Sequence, residues 1–299
     1  VDSKGMIFER NPYYWRVDTA GNQLPYVDRV INDFVSNLEV VNMRTISGEL
    51  TVAGLDLLLS NTPVLRDNEK KGDYRVVMTY SERGADVALA FNQEHPDPVL
   101  KKIFTDVRFR QAMSVAINRN EINELVFLGL GTPRQATLNS SAAGFEKRWA
   151  EHYAQYDPAL ANKLLDELGL DKRGPDGIRL RPDGKPFTFQ LEYLPHEGPK
   201  TDVCELVVKH WAKVGVKVEA AARERAFLLE RLNSMKHDAS GWHVDRMLER
   251  VAWVNSWVGS KLGPGGDSAI TYARGWKDWF NSGGKMGVEP PQAAKDLAQ

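Results

Sequence analysis

The spacing of apolar residues changes regularly along the second half of the chain. Over 187–193 every second residue is apolar, which predicts a strand with one face towards a core. An amphipathic helix is predicted over 199–214, then a strand over 216–219 and a further helix over 225–235. This order of strand and helix predicts an α/β domain with a largely parallel sheet.

The middle of the chain carries a helical period. Apolar residues recur at three- and four-residue steps between 107 and 128, which predicts one helix with Asp106 as its N-cap. A shorter helix is predicted from Asp157 to Gly169, because Asp favours the N-cap and Pro158 suits the first turn.

The N-terminal third combines β-prone runs with turn residues. Strands are predicted at 6–9, 27–34, 74–80 and 87–91, and a helix within 39–60.

Composition is that of an ordinary globular chain. The 299 residues correspond to one large domain or two smaller ones, and 42% of them are hydrophobic, enough for a packed core. The formal net charge of -1 provides no basic excess for a phosphate backbone, so we expect no nucleic-acid partner. The chain begins at Val1 without a signal peptide and its last residues read as the first turn of a helix, so we expect a mature chain or a fragment.

Motifs for catalysis or metal binding do not occur. The six histidines form no H-x-x-x-H pair, and neither a G-x-S-x-G elbow nor a phosphate-binding loop is present. The single cysteine, Cys204, lies in an apolar periodic run and is expected to be a buried structural thiol. We therefore predict no catalytic residue, no metal site and no cofactor.

Tryptophan is concentrated near the C-terminal end. Five of the eight tryptophans lie at 242, 253, 257, 276 and 279. Such rings pack in a core with their polar tips at the surface, or line a ligand cleft, and the sequence leaves both readings open.

Several segments, taken in order, carry a family signature. They are 11–15 (NPYYW), 24–30 (LPYVDRV), 47–50 (SGEL), 89–92 (LAFN), 104–112 (FTDVRFRQA) with 116–119 (AINR), 157–165 (DPALANKLL) and 211–218 (WAKVGVKV). Together they resemble the family 5 extracellular solute-binding proteins of bacterial ABC importers, which include oligopeptide- and dipeptide-binding proteins.

The resemblance implies a fold and a division into lobes. The expected fold is type II periplasmic-binding-protein-like, with two α/β lobes around a cleft that closes on ligand. Residues 1–85 are expected to be the C-terminal part of the first lobe, which is incomplete. Residues 86–299 are expected to be the second lobe, largely complete and truncated at its C-terminus.

One ligand contact can be transferred from the family. In its peptide binders, an Asp three residues after a Gly-Trp pair holds the α-ammonium of the peptide, and here that position is Asp245. A buried ammonium needs a paired anion, although an Asp can equally cap or pair within the protein. The resemblance places Trp242, His243, Arg246 and Trp253 beside it as ligand-binding candidates. Arg246 departs from the family pattern and could neutralise Asp245 directly.

The resemblance implies a binding function rather than catalysis. We expect the substrate-binding component of an ABC transporter, periplasmic, that captures a short peptide and delivers it to a permease in the inner membrane. An oligosaccharide ligand is the first alternative, because of the tryptophans. A hydrolase whose site carries no known motif is the second.

Overall fold

The computed structural model describes residues 5–35, 37–54, 57–196, 198–244 and 272–297. The chain divides into two compact units. The first comprises residues 1–57 and 61–76, and the second comprises residues 58–60 and 77–299.

The first unit contains an antiparallel strand pair and short helices. Ile7 on the first strand is paired with Ile31 on the second, and the strands confirm the predicted strand–turn–strand order. The elements are β1 (Gly5–Glu9), β2 (Arg29–Asp33), α1 (Leu38–Ile46), α2 (Thr62–Asp67) and α3 (Glu69–Gly72).

A turn between β1 and β2 is organised by one carboxylate. Asp18 accepts hydrogen bonds from the backbone N–H groups of Ala20 and Asn22, at 2.9 and 2.8 Å. Its other oxygen accepts the Tyr26 hydroxyl at 2.6 Å. Chiefly through the bond from Tyr26, these donors lower the pKa of Asp18 to about 2. The loop is therefore held by side-chain chemistry local to the turn.

The second unit is built on a four-stranded sheet. The strand order is β3-β6-β4-β5, in which β4 is parallel to both β5 and β6 while β3 is antiparallel to β6. The strands are β3 (Ala85–Phe91), β4 (Thr188–Tyr193), β5 (Lys217–Ala222) and β6 (Ala239–Val244). The predicted α/β sheet, mostly parallel, is thus confirmed.

Helices cover both faces of this sheet. One face meets α9, whose Cys204 lies against Gly241 of β6, and the other meets α10, whose Leu228 and Leu232 pack with Trp242. The helices of the unit are α4 (Pro98–Thr105), α5 (Val107–Val115), α6 (Arg119–Phe127), α7 (Lys147–Glu151), α8 (Pro158–Glu167), α9 (Lys200–Lys213), α10 (Arg225–Asn233), α11 (Arg274–Ser282) and α12 (Gln292–Leu297). No helix in the described ranges is both long enough and apolar enough to span a membrane.

Aromatic side chains fill the core beneath α9. Phe91 of β3 meets Phe109 of α5 edge-on, with ring centroids 4.9 Å apart, and Trp211 of α9 lies 5.9 Å from Phe91. The indole N–H of Trp211 donates to the Met113 carbonyl at 2.9 Å, so this fully buried ring leaves no unsatisfied donor.

Two local predictions were wrong. The β-prone run over 74–80 forms no strand and leaves Tyr80 fully exposed, because no neighbouring strand pairs with it. The single helix expected over 107–128 is two helices, α5 and α6. Asn118 interrupts the run by capping α6, since its side chain accepts the Glu121 backbone N–H at 3.1 Å.

Candidate ligand-binding site

A pocket lies at the carboxyl end of the parallel strands of the second unit. It has a volume of about 400 Å³, and the described residues of its walls lie at and directly after the ends of β4 and β5. In open α/β sheets this edge is where ligands bind, because loops there are free to carry polar groups while the strands hold them in place. The lining residues are Leu194, Pro195, His196, Ala222, Arg223, Glu224 and Arg225.

Trp242, near the end of β6, lies behind this pocket. Only 5% of the residue is exposed, and it packs with Leu194 and with α10. The Lys200 ammonium lies 5.4 Å from the ring centroid and the Arg225 guanidinium carbon 5.6 Å from it, both within cation–π range. Trp242 therefore contacts the first residue of α9 and the first residue of α10.

Lys200 is fully buried at the start of α9. Its ammonium donates to the His196 carbonyl at 2.8 Å, which ties the loop after β4 to the helix. The Trp242 indole N–H donates to Nε2 of His243 at 3.2 Å. The two predicted site residues on β6 are thus bonded to each other.

A buried carboxylate anchors one wall of the pocket. Glu192 of β4 is fully buried and receives two hydrogen bonds from Arg231 of α10, at 2.6 and 2.7 Å. Arg223 donates to the same carboxylate at 3.2 Å and to the Gln190 side chain at 2.9 Å. One carboxylate thus holds two guanidinium groups, and such charge-assisted pairs fix geometry strongly.

The other carboxylate at the pocket is already engaged. Glu224 caps α10, since its Oε2 accepts the backbone N–H groups of Ala226 and Phe227 at 2.8 and 3.2 Å. These bonds hold the pKa of Glu224 below its usual value, so it stays ionised at neutral pH.

The five predicted site residues are only partly covered by the structure. Trp242 and His243 lie on β6, at the pocket end of the sheet. Asp245, Arg246 and Trp253 lie outside the described residues. Asp245 is the residue directly after the last residue of β6.

Sequence reasoning did not select Glu192, Arg223 or Lys200. The sequence did contain a signal for Glu192, because an acidic residue stands between two apolar ones in the predicted strand 187–193. Both faces of the sheet are covered by helices, so a charged side chain on this strand needs a partner. An Arg-Glu-Arg triplet also follows β5 directly. Neither pattern could show that the two meet.

Two of the buried histidines of the unit, His95 and His210, pair with carboxylates of the protein. His95 Nε2 lies 2.8 Å from Asp238 and His210 Nε2 lies 3.0 Å from Glu121. The bond from His210 is the main reason why the pKa of Glu121 lies below its usual value. Burial would raise the pKa of Asp238, but hydrogen bonds, that from His95 foremost, more than offset this and lower it.

A metal centre has no basis in the described part of the chain, where no three His, Cys, Asp or Glu side chains are grouped as ligands. Cys204 is fully buried as predicted, and burial raises the pKa of its thiol to about 12.

A second pocket of about 280 Å³ lies between α6 and α7, and Arg119 and Tyr156 are among the residues that line it.

Comparison with known proteins identifies a family. The sequence profile of the bacterial extracellular solute-binding proteins, family 5 middle region, matches residues 1–260. A probable ABC transporter-binding protein of Deinococcus radiodurans is 28% identical over 227 residues, which are 74% of this chain and 38% of the relative.

Solved structures show the same fold. An oligopeptide-binding protein, OppA, is 38% identical and superposes with a TM-score of 0.67 over 99% of this chain and 48% of its own. The periplasmic binding protein MelB of Agrobacterium fabrum, solved with stachyose, has 19% identity and a TM-score of 0.77 over 99% of this chain and 44% of its own. The predicted periplasmic-binding-protein-like fold is therefore confirmed.

The chain spans less than half the length of each of these relatives. All three are named as binding proteins and none as an enzyme, in agreement with the prediction that the chain is not an enzyme. The match of the family profile over most of the chain supports a direct conclusion. The chain belongs to the bacterial extracellular solute-binding proteins of family 5.

Proposed function

We propose that this chain is part of the substrate-binding component of an ABC importer, and that the component captures a short peptide in the periplasm. The bound peptide is then delivered to a permease in the inner membrane. The observation that carries the proposal is the pocket at the carboxyl ends of β4 and β5. The neighbouring strand β6 carries the Gly241-Trp242 pair and ends at Val244, which Asp245 follows directly in the sequence.

Each predicted site residue has a role in this proposal. Asp245 pairs with the peptide α-ammonium, because a desolvated cation needs an anion. Trp242 is buried by protein groups, so it shapes the wall of the site together with His243. Trp253 supplies an aromatic surface, and Arg246 sets the charge next to Asp245.

Residues 1–85 belong, in this proposal, to the first lobe and residues 86–299 to the second. The second unit has a core and a sheet of its own, in line with a lobe that moves as a body when ligand binds.

An oligosaccharide is the second candidate ligand. MelB was solved with stachyose, so the fold accommodates sugars in that protein. Tryptophan rings suit the apolar face of a sugar ring, and Trp253 is the candidate here.

A thermal-shift screen of the full-length protein tests both ligands. The panel contains di- to pentapeptides and cello- and xylo-oligosaccharides, and a ligand that binds only the native state raises Tm by a few degrees at about 100 times its Kd. We expect a peptide to raise Tm in the native protein and not in Asp245→Ala. The matched control is Asp171→Ala, which removes an exposed carboxylate of the same unit and should respond like the native protein.

The result that contradicts the peptide proposal is a sugar hit that is retained in Asp245→Ala and lost in Trp253→Ala. Turnover of a peptide or glycoside by the purified protein would contradict the binding function itself.

A further inference from the structure

The wall of the pocket that contains Arg223 also contains ion pairs that have no role in the proposed binding of the peptide α-ammonium. Arg223 and Arg231 share the single carboxylate of Glu192. Asp238 and Glu230 also lie close enough to favour the charged form of Arg231, whereas Glu192 is the one carboxylate with which Arg223 pairs in the described part of the chain. Glu192 is fully buried, whereas 28% of the Arg223 side chain and 23% of the Arg231 side chain are exposed. Arg223, the more exposed of the two, therefore shares its one paired carboxylate with a second arginine.

Only one of these two guanidinium groups lines the pocket. Arg231 donates to Glu192 through Nε and Nη2, and Nη2 also donates to the Lys236 carbonyl at 2.7 Å. Arg223 uses Nε and Nη2 for Glu192 and Gln190, and it forms part of the pocket wall. Its orientation is fixed from behind by two hydrogen bonds, so little side-chain entropy is lost when it binds a ligand.

The neighbouring acid, Glu224, is engaged by the backbone rather than by Arg223. Glu224 also lines the pocket, but its Oε2 is bonded to two backbone N–H groups at the start of α10. The helix N-terminus carries about half a positive charge, so it offsets part of the negative charge of Glu224.

We propose that Arg223, oriented by Glu192, binds an anionic group of the ligand, most simply a carboxylate, and so selects acidic over neutral ligands. The proposal rests on the proposed function and adds to it the chemical class of the ligand. A planar guanidinium matches a carboxylate, and removal of one partner from such a pair weakens binding about tenfold or more.

The test compares ligands that differ only in one charge. Affinities of the full-length protein are measured by calorimetry for a peptide with a free C-terminal carboxylate and for its C-terminal amide. Two further pairs separate the sources of the carboxylate: amidated peptides that differ by Glu or Gln, and a uronic-acid disaccharide with its neutral counterpart. We expect the acidic member of at least one pair to bind about tenfold more tightly or better.

The variant Arg223→Gln tests whether Arg223 is the residue that causes the preference for acidic ligands. Glu192 keeps its two bonds to Arg231 in this variant, so no buried carboxylate is left unpaired and the protein should fold. For the ligand pair in which the native protein prefers the acidic member, we expect this variant to bind both members with similar affinity. Arg223→Lys should restore part of the difference in affinity. The matched control is Arg148→Gln, which removes a guanidinium whose side chain is 74% exposed and should keep the full difference.

Two results would overturn the inference: equal affinity for the acidic and neutral members of every pair, or a preference that persists in Arg223→Gln. In both cases the ligand still binds, so the proposed function stands. If no member of any pair binds the full-length protein, the proposed function fails and the inference falls with it.

Discussion

Gly241 of β6 and Cys204 of α9 are so close that a Cβ atom on Gly241 would lie 2.9 Å from the cysteine sulfur. Real Cβ atoms do not approach sulfur that closely, so the strand and the helix pack at this distance only because position 241 has no side chain. The same glycine precedes Trp242, so this contact lies next to a residue of the candidate site.

Gly241→Ala should destabilise the protein by about 1–3 kcal/mol, because the added methyl overpacks the core between β6 and α9. Chemical denaturation measures the change. The cost should shrink when Cys204→Ala is added, since the smaller residue relieves the clash and the two substitutions then couple. Gly144→Ala is the control, as its nearest neighbour would lie 3.4 Å away. Strict additivity of the two substitutions would contradict this account.

The Cys204 thiol should be unreactive in the native protein. Burial raises its pKa to about 12, so the nucleophilic thiolate is absent at pH 8 and the sulfur is sealed from reagents. A disulfide reagent such as Ellman's should titrate no thiol under native conditions and one after denaturation, matching the single cysteine. Labelling faster than global unfolding would show that α9 opens locally.

Glu192→Gln should cost on the order of 3 kcal/mol, because it leaves the Arg223 and Arg231 guanidinium groups without their shared anion. Urea unfolding monitored by circular dichroism gives the value. For comparison, Glu146→Gln removes a carboxylate whose side chain is 45% exposed and that pairs only with Arg148, so it should change stability by less than about 1 kcal/mol. Equal costs for both variants would mean that the buried network is not a structural anchor.

The Tyr26 hydroxyl should account for much of the low pKa of Asp18. Tyr26→Phe removes the largest cause, so the pKa should rise from about 2 towards 3.8. Because the folded pKa lies below the ordinary value, the stabilisation is complete above about pH 4 and is lost as pH falls through about 2. An NMR titration of the carboxyl carbon measures the shift. Tyr13→Phe, at a tyrosine that is 90% exposed, should leave it unchanged.

Local elements of the fold were predictable because their determinants lie within a few residues. The alternation over 187–193 predicts β4, and Asp157 caps α8 by accepting the Leu160 backbone N–H at 2.8 Å. The run at 74–80 was mispredicted because a strand needs a partner that local propensity does not reveal. The break between α5 and α6 was missed because the apolar period continues through it.

Some features of the candidate site were likewise predictable from local sequence, and others were not. Family membership, and the choice of Trp242, His243 and Asp245 as candidates, rest on short motifs whose residues are adjacent in the chain. The anchor of the pocket does not, because Arg223 and Arg231 lie 31 and 39 residues from the Glu192 that holds them.

The sequence by itself determined the family, the α/β alternation and the absence of known catalytic motifs, since each is expressed in local spacing. Only the tertiary structure decided that Glu192 is buried between two arginines and that Arg223 faces the pocket. Burial and charge pairing depend on which strand and helix meet across the sheet. That meeting is set by the packing of α9 and α10 on opposite faces of the sheet, which no single segment specifies.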